Sequence, residues 1–225
     1  MQEVKKRPST LMLGLCFIFS LFLNCLGNAL TVSLNLGSAL WTASAVNISN
    51  AVKLPLGLIL FFIGSIIIIT NSFLIKKIDL RRIIGNLIFM VPFAWLVGYL
   101  SPLLVDLGIT HLPLGLKIGF DFLGVIFFST AVSIYQRINW ALHPADDLMQ
   151  ILRFKFFKGN PIIAQLVSFT PPILAIIIAF LVTGRIEAIN VGTIFALVFQ
   201  GALIGLADKF VLPKLKHLNV EKAIN

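Results

Sequence analysis

Long apolar segments alternate with short charged ones along the whole sequence. The longest run without a charge lies between Arg7 and Lys53, and the fourth apolar segment is interrupted by a single acid, Asp121. A helix that crosses a bilayer needs about 20 apolar residues. The pattern therefore predicts six transmembrane helices, over residues 11–34, 54–75, 83–104, 116–136, 161–182 and 189–210.

The run between Arg7 and Lys53 is longer than one spanning helix but too short for two helices and a turn. Its second part, residues 37–50, is rich in small and hydroxyl side chains. We predict a short interfacial or re-entrant helix there, with an external loop as the alternative. Residues 146–158 alternate apolar and charged positions and predict a second short interfacial helix.

Composition agrees with a membrane protein. Apolar residues make up 58% of the chain and charged residues 12%, whereas soluble domains carry about 25% charged residues. The mean hydropathy is +0.99. A chain this apolar could not cover a globular surface with polar groups. Soluble enzymes, nucleic-acid-binding domains and disordered chains are excluded, and the expected partner is the lipid bilayer.

Charge predicts the orientation. Of the 18 Lys and Arg residues, all but Lys53, Lys117 and Arg185 fall on one side of the predicted helices. Basic loops stay on the cytoplasmic side, so both termini are expected there, in a bacterial plasma membrane. The net charge of +9 follows from this topology and requires no nucleic acid.

The sequence offers few reactive groups. Cys16 and Cys25 share the first helix, and His111, His143 and His217 fall on different loops. No spacing suits a metal site, and no nucleophile is paired with a base. We therefore expect no metal, no cofactor and no enzymatic activity.

The two halves of the chain resemble each other. Gly85, Gly98 and Pro55 of the first half match Gly192, Gly205 and Pro161 of the second at nearly constant spacing. We predict an all-α membrane protein in which residues 1–225 form a single transmembrane domain. It would contain two three-helix repeats, about 11–104 and 113–211, each with a short interfacial helix. An odd number of spans per repeat makes the topology inverted, although chance alignment of apolar segments is the alternative.

Small residues four positions apart indicate close helix packing. They occur as Gly201 and Gly205 in the sixth helix, and as Gly115 and Gly119 at the start of the fourth. By the repeat, Gly98 and Gly205 should lie at equivalent close crossings. The pattern suits packing within one chain and a homodimer equally well.

Short motifs resemble those of the YczE/YyaS/YitT family of bacterial membrane proteins. That family's Leu-Gly-x-x-Pro-Trp-Asp pattern is matched in part at 36–42, where Leu36, Gly37 and Trp41 are kept, and its Pro-x-Asp recurs at 144–146. The segment 189–193, with Gly192 and Thr193, resembles the family's Ile-Gly-x-Gly-Thr. The resemblance covers about residues 10–212 and implies a polytopic plasma-membrane protein, without a substrate.

Polar groups within the spans are the candidate site. Asn24 and Asn28 lie one turn apart on the first helix, and Gln200 lies in the middle of the sixth. The double proline in Thr170-Pro171-Pro172 should break or kink the fifth helix. Amides and freed carbonyls need partners in lipid. A polar substrate-binding cavity between the halves would satisfy them together, whereas bonding between helices is the alternative.

Asp121 is the acid at membrane depth, one turn from Lys117. It could couple transport to protons or cations at the outer rim of the cavity, or pair with Lys117 at the interface. Together these features predict a small-solute permease or secondary transporter. A substrate-binding subunit of a multi-component uptake system and a non-transporting scaffold or regulator are the alternatives.

Overall fold

A computed structural model describes residues 9–213 and Leu215, except the side chains of residues 161 and 162. The orientation prediction also used six basic residues outside the described ones: Lys5, Lys6, Arg7, Lys214, Lys216 and Lys222. His217 lies outside them as well. The described chain forms eight α-helices and two short turns: α1 Thr10–Leu34, α2 Leu40–Val52, α3 Leu56–Ile75, α4 Leu80–Asp106, a 3₁₀ turn Ile109–His111, α5 Leu114–Ile138, α6 Pro144–Ile151, a π turn Leu152–Phe156, α7 Pro161–Thr183 and α8 Val191–Phe210.

Six of these helices are long and apolar enough to cross a membrane, namely α1, α3, α4, α5, α7 and α8. The predicted multi-pass membrane fold is therefore confirmed, and each span begins and ends within a few residues of the expected positions. Their ends follow local chemistry. The side chains of Ser9 and Asp79 accept backbone N–H groups in the first turns of α1 and α4. The first N–H groups of a helix have no carbonyl partner within it, so such caps stabilise its start.

The two predicted short helices are present as α2 and α6, and both pack against spanning helices. α2 packs against α7, and α6 packs against α3. Small side chains allow this, because Ala43 and Ala45 of α2 are fully buried and Ala145 of α6 is nearly so. Each short helix thus contacts the middle span of the other half of the chain.

The first spans of the two halves, α1 and α5, form the centre of the bundle. They cross where a Cβ on Gly27 would lie 2.6 Å from the carbonyl oxygen of Gly124, so the two backbones are in contact. α4 packs beside α1 and α8 beside α5. The close packing that small residues allow in membranes is here used between the two halves.

The outer pairs of helices differ between the halves. α3 packs on α4 through Gly98, whose added Cβ would lie 2.8 Å from the Cα atom of Gly57. At Gly205 of α8 an added Cβ would meet no atom within 4 Å, and the same holds at Gly201. The prediction of a close crossing is confirmed for Gly98 and wrong for Gly205, because α7 and α8 are not packed along each other as α3 and α4 are.

A buried arginine ties the last helix to the centre. Arg137, 1% exposed, donates to the carbonyl oxygens of Val211, Leu212 and Leu215 at 2.9–3.1 Å. Its Nε lies 3.3 Å from an Asp208 carboxylate oxygen. The guanidinium caps the carbonyl end of α8, where a cation is favoured, and holds that end against α5.

Candidate functional site

A cavity of about 210 Å³ lies between the two halves of the bundle. Its walls come from α1, α4, α5, α7 and α8, together with the amino ends of α2 and α6. Both short helices therefore begin at the cavity. Polar side chains alternate in its lining with aromatic ones, among them Trp41, Phe93, Phe128 and Phe169.

Three of the predicted site residues line this cavity: Asn24, Asn28 and Gln200. The Asn28 amide nitrogen donates to the Asn24 side-chain oxygen at 3.1 Å, and the Asn28 oxygen accepts from the Thr42 hydroxyl at 2.8 Å. Asn28 thereby joins α1 to the first turn of α2. The two asparagines both face the cavity and bond to their neighbours, so the structure combines the two alternatives left open by the sequence.

The double proline lies elsewhere. Thr170 and Pro171 are exposed on the outside of α7, Pro172 is buried, and none of the three lines the cavity. α7 is helical without interruption from Pro161 to Thr183, so a break is wrong, whereas the alternative of a kink stays a prediction. In lipid an unwound segment would expose further peptide groups, and the Thr170 hydroxyl donates to the Leu166 carbonyl at 3.2 Å.

Two polar residues of α7, one turn or more before the prolines, line the cavity. Because Pro172 has no N–H, the carbonyl of Ser168 lacks its helical i+4 donor. Ser168 is 3% exposed and lines the cavity with Gln165, one turn earlier on the same helix. α7 therefore presents a polar face inward.

A titratable group that the sequence analysis did not select faces the same space. Asp146, in the first turn of α6, lines the cavity and accepts a hydrogen bond from the Tyr135 hydroxyl of α5. Burial raises the pKa of Asp146 to about 6, with the charge of Asp147 adding to the effect and the Tyr135 hydrogen bond opposing it. The Pro-x-Asp motif was a signal for this residue, but the amphipathic pattern of residues 146–158 does not indicate that this acid faces a cavity.

His143 precedes α6 and also lines the cavity. Its Nδ1 accepts the Ala145 N–H at 3.2 Å, and its ring meets Phe89 and Phe93 edge to face. Burial lowers the pKa of His143 to about 4, so the ring is neutral at physiological pH. With Nδ1 accepting, the proton resides on Nε2, which is a hydrogen-bond donor.

A second polar cluster joins the start of α6 to α3 and α4. Asp147, 1% exposed, forms a 3.0 Å salt bridge with Arg82 of α4. Burial raises the pKa of Asp147, and Arg82 opposes that shift. Asn71 and Asn86 donate to the carbonyls of Pro144 and Leu142 at 3.1 and 3.0 Å. These contacts hold the start of α6, and with it Asp146, in place.

Asp121 does not line the cavity. It is fully buried on α5, and neither carboxylate oxygen has a hydrogen-bond partner among the described residues. The alternative of a pair with Lys117 is wrong, since the Lys117 ammonium instead donates to the Thr110 carbonyl at 3.4 Å. Asp121 packs against Gly192, where a Cβ would lie 1.7 Å from a carboxylate oxygen.

The two glycine motifs meet each other beside Asp121. The Gly192 N–H donates to the Leu36 carbonyl at 2.9 Å, and the Ser38 N–H donates to the Thr193 hydroxyl at 3.2 Å. Gly37 has φ +144°, and a Cβ there would lie 2.1 Å from the Thr193 nitrogen. Glycine is required at position 37 both by its backbone conformation and by this contact. The crossing joins the start of α8 to the segment before α2.

The described residues contain no group of three His, Cys, Asp or Glu side chains that could hold a metal ion. A family model matches residues 13–209, which span α1 to the last turn of α8 and include every element around the cavity. That family is described as a family of unknown function, DUF6198. No curated protein and no solved structure matches the chain. The chain is thus a multi-pass membrane protein that belongs to the DUF6198 family.

Proposed function

We propose that the protein is a small-solute permease or secondary transporter rather than an enzyme, and that the cavity between its halves is the solute site. The observation that carries the proposal is the cavity itself. It has about 210 Å³ of space, enough for a small molecule, and both halves contribute polar and aromatic walls. Binding sites are typically concave and largely apolar, with a few placed polar groups.

The proposal includes an inverted repeat of residues 11–104 and 113–211 within one domain. Its support is the pattern of packing. We match helices α1 to α4, in order, with helices α5 to α8. The contact between α1 and α4 then corresponds to the one between α5 and α8, and the contact between α2 and α7 to the one between α6 and α3. All four contacts occur. The largest exception is the contact between α3 and α4, which has no counterpart between α7 and α8. In transporters with inverted repeats, solute sites lie at the repeat interface near the bilayer midplane.

We further propose kinship with the YczE/YyaS/YitT family, a bacterial plasma-membrane location and cytoplasmic termini. Kinship with that family is supported by the motif residues Gly37 and Gly192, because the two glycines contact each other. The basic residues at one end of the spans support the orientation. A homodimer through the small-residue face of Gly115 and Gly119 also stays a proposal, supported by the open space at both glycines.

The test compares a filled cavity with an intact one. Ala196 is 3% exposed and lines the cavity, whereas Ala202 on the same helix is exposed. Proteoliposomes holding the wild type, Ala196→Trp or Ala202→Trp would be incubated with a defined mixture of sugars, nucleosides, amino acids and amines. Mass spectrometry should find solute uptake in the wild type and Ala202→Trp, and at least a tenfold loss in Ala196→Trp. Equal uptake by all three, or none by any, would refute the permease.

One observation favours the scaffold or regulator. Asn24, Asn28 and Thr42 bond one another, which is what structural polar contacts between helices would do. If none of the proteoliposomes takes up solute, this function replaces the permease. Solute binding without uptake would instead favour the substrate-binding subunit of an uptake system.

A further inference from the structure

The charge in the cavity is negative. Asp146 is its one carboxylate, and the residues that line it include no Lys or Arg. His143 is neutral at physiological pH, as argued above. The two arginines that form salt bridges pair with other carboxylates, Arg82 with Asp147 and Arg137 with Asp208. Within the described chain Asp146 therefore has no salt-bridge partner.

The surroundings of Asp146 suit a cation with apolar substituents. Tyr135 lines the cavity beside it, and Trp41, Phe93, Phe128 and Phe169 complete the aromatic lining. The faces of aromatic rings attract ammonium groups, and clusters of such rings bind quaternary ammonium ions. An anion would be repelled by Asp146, and a neutral solute would leave that carboxylate buried without a counter-charge, which is costly.

We propose that the cavity binds a small organic monocation, a protonated or quaternary amine, with its positive charge beside the Asp146 carboxylate. This inference rests on the proposed function in one respect, that the cavity is the solute site. A hydroxyl or amide of the same solute would find hydrogen-bonding groups on α1, from Asn24 and Asn28, and at the start of α2, from Thr42.

Protons should compete with the solute, because a protonated Asp146 carries no charge. The groups that face Asp146 are the Tyr135 hydroxyl from α5, His143 before α6 and Asp147 on α6, whose charge is paired with Arg82 of α4. With the pKa of Asp146 raised to about 6, the affinity for the cation should fall as the pH drops below 6. Cation uptake would then be coupled to proton release at one carboxylate.

The test uses choline and its uncharged isostere 3,3-dimethylbutan-1-ol, in which carbon replaces the nitrogen. Trp41 lines the cavity, whereas Trp95 and Trp140 are 66% and 43% exposed. The full chain with Trp95→Phe and Trp140→Phe would thus report binding through Trp41 fluorescence. We expect choline to bind at least tenfold more tightly than the isostere at pH 7.5, with most of that preference lost at pH 5.

Matched variants locate the charge. Asp146→Asn should remove the preference for choline, whereas Asp106→Asn, at an exposed acid ending α4, should keep it. Asp146→Glu, which keeps the charge, should retain the preference and so separate loss of charge from loss of fold. The inference is overturned if the isostere binds as well as choline, if Asp146→Asn keeps the preference, or if choline, tetramethylammonium and tetraethylammonium all fail to bind.

The failure of this inference differs from the failure of the proposed function. If choline binds as expected but proteoliposomes do not take it up, the cation site stands and transport does not. If neutral solutes of the mixture are taken up and lost in Ala196→Trp while no cation binds, transport stands and the cation site is refuted.

Discussion

At the scale of single residues, the polar side chains within the helices are of two kinds. Many hydroxyl groups donate to a carbonyl one turn earlier, as Thr70 and Ser72 do at 2.8 and 3.1 Å. Such contacts satisfy the side chain locally and need no neighbouring helix. Others, such as Asn28 and Asp146, meet partners on a different helix and line the cavity. Only the second kind depends on the fold.

Asp146 should make the protein less stable at neutral pH. Its pKa is raised from 3.8 to about 6 in the folded protein, so the folded state holds the proton more tightly than the unfolded state. This contribution to stability is present at low pH and is lost as the pH rises through about 4 to 6. Asp146→Asn, which can still accept from Tyr135, should therefore gain thermal stability over the wild type as the pH rises.

The measurement is the difference in melting temperature between Asp146→Asn and the wild type in detergent, at pH 5 and pH 7.5. The difference should be larger at pH 7.5. His143 is present in both proteins and drops out of the comparison. Asp106→Asn, at an exposed acid, serves as the control. A difference for Asp146→Asn that shrinks with rising pH would contradict the expected direction.

At the scale of helices, the two halves differ in how closely their last two spans pack. α3 and α4 touch backbone to backbone at Gly57 and Gly98. α7 and α8 have no such contact, and both line the cavity. The stripe Ala196, Gln200, Ile204 shows how α8 turns one face toward it, since the residues recur at helical spacing. This difference between the two halves therefore coincides with the candidate site.

A bulky side chain should have different effects on stability at Gly98 and Gly205, the two glycines that the proposed repeat matches. Gly98→Leu would drive a side chain into the Gly57 backbone and should cost about 1–3 kcal/mol, the usual range for overpacking. At Gly205 an added Cβ meets no atom within 4 Å, so Gly205→Leu should cost clearly less than Gly98→Leu. Thermal unfolding of both variants in detergent measures this. Equal losses would mean that α8 is as tightly packed as α4.

At the scale of the whole molecule, the six spans put their connections at two ends. Asp106 and Arg185 lie exposed at one end, and Lys77 lies exposed at the other. Most basic residues share the end of Lys77, which is the basis for proposing that this end is cytoplasmic. The cavity lies between these ends and is bordered by both halves.

The orientation can be checked in intact cells. In a background with Cys16 and Cys25 replaced, single cysteines at Asp106 and Arg185 should react with a membrane-impermeant thiol reagent, because both are expected outside. A cysteine at Lys77 should react only after the cells are opened. The reverse pattern of labelling would invert the proposed topology while leaving the helices unchanged.

The sequence by itself determined the helices of this protein, because lipid requires each span to bond its own backbone and to be apolar over about 20 residues. Those requirements are local and can be read from charge-free runs, and they sufficed to find Asn24, Asn28 and Gln200 as polar groups at membrane depth. What the helices enclose is decided by contacts between residues far apart in the chain. Only the tertiary structure placed Asp146 beside Tyr135 in the cavity that Trp41 also lines, left the double proline out of that cavity, and buried Asp121 against Gly192. Helical periodicity states which residues share a face, but which faces meet depends on where backbones can approach closely.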